Sequence, residues 1–102
     1  MKTNELDFIK DWFKSDLDIQ IEVKFKGQKG IIILENNAYY VNGQRHKGDK
    51  RRIIYDDDFE NSKIYDFLEE NFKEYFYGEY DYNEIVNFLL SLEENGFKLR
   101  VL

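Results

Sequence analysis

The feature that most constrains this chain is a change of hydrophobic period part-way along it. From Ile19 to Phe25 the apolar residues Ile19, Ile21, Val23 and Phe25 alternate with Gln20, Glu22 and Lys24. Period two places every apolar side chain on one face of a strand. Beyond Asp56-Asp57-Asp58 the spacing becomes helical. Ile64, Phe67, Leu68, Phe72, Tyr75 and Phe76 fall on one face of a helix predicted from Phe59 to Tyr77. A chain of 102 residues has room for one domain. Strands with one apolar face must therefore be covered by helices from the same chain.

The remaining segments fit that plan. Asn4 to Ser15 carries Leu6, Ile9, Trp12 and Phe13 at helical spacing. Gly27 to Gly30 reads as a turn, Ile31 to Leu34 as a strand buried on both faces or at the centre of a sheet, and Glu35 to Asn37 as another turn. Ala38 to Asn42 reads as a strand, Gly43 to Arg52 as a polar loop, and Arg52 to Tyr55 as a fourth strand. Asp81 with Glu84 three residues on is a capping-box signal for a last helix, closed by Asn95-Gly96. Phe97, Leu99 and Val101 alternate to the end. The expectation is a single α+β domain over residues 1–102, in the order α-β-β-β-β-α-α-β. It consists of an antiparallel meander with the helices packed on one face.

Composition narrows the chemistry. There is no Cys, no Pro and one His, so disulfides, thiolate catalysis and multi-histidine metal sites are excluded. No apolar run approaches a membrane span, and the start lacks the basic and apolar regions of a signal peptide, so the expected location is cytoplasmic. Ser15, Ser62 and Ser91 lack a nucleophile-elbow context, and His46 is flanked by cations. No glycine-rich phosphate cradle opens a helix. No cofactor, no metal and no enzymatic activity are expected.

Charge is divided along the chain. Residues 1–55 hold eleven Lys or Arg against eight Asp or Glu, and residues 56–102 hold four against thirteen. In the acidic half Asp66, Glu69, Glu70, Glu74, Glu79 and Asp81 accompany Tyr75, Tyr77 and Tyr80. Carboxylates in a row can occupy a groove built for phosphates, and Tyr supplies rigid contact area at low entropic cost. These residues are the candidate surface for a basic partner, such as a nucleic-acid enzyme. In the basic half Arg45, Lys47, Lys50, Arg51 and Arg52 crowd one loop, the candidate nucleic-acid contact of an alternative reading. No aromatic residue interleaves them there. Opposed charges on one small domain also suit self-association as a homodimer.

Two resemblances follow from these residues. Ile21-Glu22-Val23-Lys24 resembles the Glu-x-Lys strand of restriction-endonuclease-like nucleases, which implies a metal-holding Glu22 and a Lys24 that assists water. In size, acidity and lack of a catalytic set, the chain resembles the small inhibitors of phages and mobile elements. These include nucleic-acid mimics, anti-CRISPR proteins and toxin-immunity proteins, and the likeness is of type rather than of motif. The resulting expectation is a non-enzymatic inhibitor acting through its acidic, Tyr-rich helices.

Overall fold

A computed structural model describes residues 3–15, 17–35, 38–48, 50–55, 63–76 and 78–102. Of residues 3–6, 38, 39, 45, 47 and 63 it describes the backbone alone. The elements are α1 (Thr3–Phe13), β1 (Ile19–Phe25), β2 (Gln28–Glu35), β3 (Ala38–Val41), β4 (Gln44–Lys47), β5 (Arg51–Tyr55), α2 (Lys63–Phe72), a 3-10 turn (Lys73–Tyr75), β6 (Glu79–Tyr80), α3 (Tyr82–Glu94) and β7 (Lys98–Val101). This is an α+β domain, with three α-helices among the described residues. Its antiparallel sheet runs in the order β6-β5-β2-β1-β7.

The alternation in β1 sets the faces of the sheet. Ile21 stands between Ile32 and Val101, and Val23 between Gly30 and Leu99. Leu34 stands between Ile19 and Ile53. These positions form the inner face. They share one core with Ile9 and Trp12 of α1, Ile64, Leu68 and Phe72 of α2, and Ile85, Phe88, Leu89 and Leu92 of α3. The outer face carries Glu22, Lys24 and Arg100, together with half-buried Ile31, Ile33 and Ile54. Ile31 to Leu34 is therefore fully buried on its inner side alone, and it lies at the centre of the sheet, the second of the two expected placements.

β1 and β2 are joined by a two-residue turn at Lys26 (φ 48°) and Gly27 (φ 77°). Positive φ at both positions is a type I′ turn, whose twist matches that of the strands. Gly30 lies in β2 rather than in a turn. A Cβ there would meet Ile64 Cγ2 at 3.0 Å and Tyr65 Cε1 at 3.2 Å, so its lack of a side chain lets α2 approach the sheet.

The caps of α3 follow the sequence reading. Asp81 accepts from the Glu84 amide at 2.8 Å, and the Glu84 carboxylate accepts from the Asp81 amide at 3.2 Å. At the other end Phe97 N–H reaches the Leu92 carbonyl at 3.0 Å and Gly96 N–H that of Glu93 at 3.0 Å. With Gly96 at φ 94° this is a Schellman motif, and buried Phe97 packs back on the helix.

The structure departs from the expected meander at three places. The polar loop contains β4, which pairs with β3 as a separate two-stranded ribbon across an Asn42 (φ 50°)–Gly43 (φ 77°) type I′ turn. The long helix ends at Phe72 and tightens into a 3-10 turn, followed by the two-residue β6 against Arg51 and Arg52. The tighter turn sets Tyr75 and Phe76 against Phe88, with ring centroids 4.9 and 5.9 Å away. Asp56, Asp57 and Asp58 and the expected start of that helix lie outside the described residues.

Candidate functional site

The three central carboxylates of the acidic reading come together. Asp66, Glu69 and Glu70 stand at i, i+3 and i+4 on α2 and are all exposed. With Tyr55, Lys73 and Phe76 they line an open groove of about 590 Å³ between α2 and the end of β5. Tyr55 donates a hydrogen bond to Glu69 Oε1 at 2.5 Å. Its ring stacks on Tyr65 at 4.9 Å and meets Phe76 edge-on at 5.1 Å. The groove thus has an aromatic wall of Tyr55 and Phe76 beneath a rim of carboxylates. Such a site suits a guanidinium or ammonium group, which gains both charge-assisted hydrogen bonds and a π face.

The rest of the expected acidic surface divides by role. Glu74 and Glu79 are exposed, Glu74 on the 3-10 turn and Glu79 opposite Arg52 at the sheet edge. Asp81 is engaged as the cap of α3. Tyr75 and Tyr80 are half-buried, and their rings lie 5.7 Å apart. The Tyr80 hydroxyl donates to the Glu74 carbonyl, satisfying a backbone acceptor where the helical turn ends. Burial, then the Glu84 and Glu74 carboxylates and the Tyr75 hydroxyl, raise the Tyr80 pKa above the ordinary tyrosine value. These two rings pack the site's flank more than they offer anchors. Tyr77 lies outside the described residues. Tyr55, Lys73 and Phe76 are groove residues that sequence reasoning missed; the patterning marks Tyr55 and Phe76 only as core.

The basic cluster is not one surface. Arg45 and Lys47 belong to β4, and Lys50 is exposed just before β5. Arg52 is exposed on the outer sheet face and pairs with Glu35 at 3.6 Å. Arg51 corrects the expectation of an exposed nucleic-acid contact, because it is 1% exposed. Its Nη1 donates to the carbonyls of Gly48 at 2.6 Å and Lys50 at 3.0 Å, and its Nη2 to that of Phe13 at 2.7 Å. Phe13 ends α1, so the guanidinium sits where the helix dipole is negative. It also lies 4.7 Å from the Phe13 ring centre and 5.9 Å from that of Trp12. Arg51 therefore ties α1 to the start of β5.

Glu22 and Lys24 share the outer sheet face as alternation requires. Glu22, however, is held between Lys24 at 3.7 Å and Arg100 at 3.3 Å. Among the described residues no group of three or more His, Asp or Glu is placed to hold a metal ion.

Among the described residues no helix is long and apolar enough to cross a membrane. No protein-family model matches the chain, and comparison with curated proteins and with solved structures finds no match for it.

Proposed function

We propose that this chain is a non-enzymatic binding module whose α2 groove receives a basic side chain of a partner protein. The observation that carries this reading is the groove itself, lined by the carboxylates of Asp66, Glu69 and Glu70 with Tyr55, Phe76 and a single cation, Lys73. An Arg of the partner would lie over the rings and bridge the carboxylates. Exposed Glu74 extends the negative field along the chain from α2. A partner with a phosphate-binding groove fits this chemistry best, which makes the chain a small acidic inhibitor of a nucleic-acid-handling protein, of the kind carried by phages and mobile elements. Such binding weakens with salt, because charge supplies much of its affinity.

The test uses a fluorescein-labelled Arg-rich peptide as probe, at low and high salt. Asp66→Lys with Glu70→Lys is expected to lower its affinity at least tenfold. Asp7→Lys with Glu94→Lys makes the same change in net charge at exposed positions on α1 and α3. That control pair is expected to leave most of the affinity intact. Equal losses in both pairs would reduce the effect to net charge and remove the groove as a site.

A further inference from the structure

We propose that the β3–β4 ribbon is a nucleic-acid-binding arm that enters the major groove of duplex DNA. β2 and β5 are antiparallel neighbours, and Glu35 pairs with Arg52. A two-residue turn would suffice to close them. Instead residues 36–50 separate them, and within this stretch β3 and β4 form a ribbon that pairs with no strand of the main sheet. The described side chains of the ribbon lie outside the core. Tyr40 is 70% and Val41 47% exposed, and Asn42, Gly43, Gln44 and His46 are exposed as well.

Its chemistry differs from that of the rest of the chain. Residues 38–47 contain Arg45, His46 and Lys47 and no carboxylate, in a protein with 21 Asp and Glu. Lys50 follows at its base. The backbone register sets Tyr40 opposite Arg45 and Tyr39 opposite His46. The aromatic residues missing from the basic run are thus supplied by the facing strand. A two-stranded ribbon fits the major groove of B-form DNA, about 12 Å wide, whereas the major groove of duplex RNA is too narrow. Cations gain affinity by displacing counterions, and Tyr hydroxyls contact phosphate or base edges.

The net charge of −6 does not prevent this, because thirteen of the carboxylates follow residue 55. The ribbon leaves the sheet at Glu35 and Arg52, whereas Tyr55 of the acidic groove closes the other end of the β2–β5 ladder. Four-residue strands make an arm about 14 Å long, longer than the screening distance of about 8 Å at physiological salt.

The test is fluorescence anisotropy of the full chain with labelled duplex DNA, single-stranded DNA and duplex RNA of equal length. Duplex DNA is expected to bind best. If Arg45, Lys47 and Lys50 each release one counterion, affinity falls about 40-fold between 50 and 200 mM salt. Arg45→Ala with Lys47→Ala is expected to weaken binding and flatten that dependence to about fourfold. Tyr40→Ala should weaken binding by the same factor at both salt concentrations. Melting temperatures of these variants should stay near that of the parent, since the β3–β4 ribbon pairs with no strand of the main sheet. Asp66→Lys with Glu70→Lys should retain DNA binding, so failure of the α2 reading and failure of this one are separable. No anisotropy change with duplex DNA at 50 mM salt would overturn the proposal. So would a preference for single strands or RNA, or undiminished binding by the Arg45/Lys47 variant.

Discussion

The β1–β2 and β3–β4 hairpins use the same turn and serve different ends. Each closes on two residues with positive φ, Lys26-Gly27 in one and Asn42-Gly43 in the other. In the first, alternating Ile and Val residues give the hairpin a buried face that lies at the centre of the sheet. In the second, polar residues follow the turn, and the ribbon stands apart from that sheet. A two-stranded hairpin without such a face is marginal by itself. Turn chemistry therefore specifies that a hairpin forms, and the flanking pattern decides whether it builds the core or presents a surface.

Substitutions that contrast the two hairpins test this directly. The largest difference is expected between Ile32→Ala, which empties a fully buried site in β2, and Val41→Ala at the ribbon tip. The first should cost about 3–4 kcal/mol and the second less than about 0.5 kcal/mol in denaturant unfolding. A comparable loss from Val41→Ala would make the ribbon part of the core.

The base of the ribbon gives the next contrast. Arg51→Ala leaves three backbone carbonyls without their guanidinium and removes its contact with Phe13. It is expected to cost about 3 kcal/mol. Arg52→Ala, which removes an exposed pair with Glu35, should change the same midpoint by less than about 0.5 kcal/mol.

The turns themselves give a smaller effect. Both Gly27 and Gly43 have φ 77° and open space where a Cβ would lie, so alanine brings the same backbone strain to each. Gly27→Ala should lower global stability by about 1–2 kcal/mol. Gly43→Ala should leave global stability nearly unchanged and instead speed amide exchange within residues 38–47. Equal global losses would show that the two hairpins unfold together.

The smallest effect concerns the strand beyond the ribbon, where β6 closes the edge of the sheet. The Tyr80 pKa is raised in the folded state from its ordinary value of 10.0. Its contribution is fully present below pH 10 and is lost as pH rises through the higher folded value. Tyr80→Phe should cost about 1 kcal/mol at neutral pH through the lost bond to the Glu74 carbonyl. It should also shallow the decline in stability above pH 10 that pH-dependent melting measures.

The same contrast explains what could be read without coordinates. The alternation in β1, the Asp81–Glu84 cap and the Asn95-Gly96 stop are local signals, and each led to the observed element. Asn42-Gly43 is an equally strong hairpin signal. The strand that follows it is unmarked, because Gln44 to Lys47 has no apolar alternation. β6 is two residues long, below any period, and its pairing with β5 depends on where α2 ends. The adjacency of β1 and β7 joins residues nearly eighty positions apart in sequence, which local patterning does not encode. At the acidic groove the carboxylates of α2 were legible from their spacing. Tyr55 was not, because its place there depends on how α2 packs on the sheet. Arg51 looked like its neighbours in a basic run, and only the docking of α1 distinguishes it.

The most direct test of the central functional claim is an amide chemical-shift map of the full chain titrated with the Arg-rich peptide. The α2 reading predicts shifts concentrated at Tyr55, Asp66, Glu69, Glu70, Lys73 and Phe76, with residues 38–47 and the Glu93–Glu94 end of α3 nearly unmoved. Shifts spread evenly over the exposed carboxylates, or centred away from that groove, would contradict it.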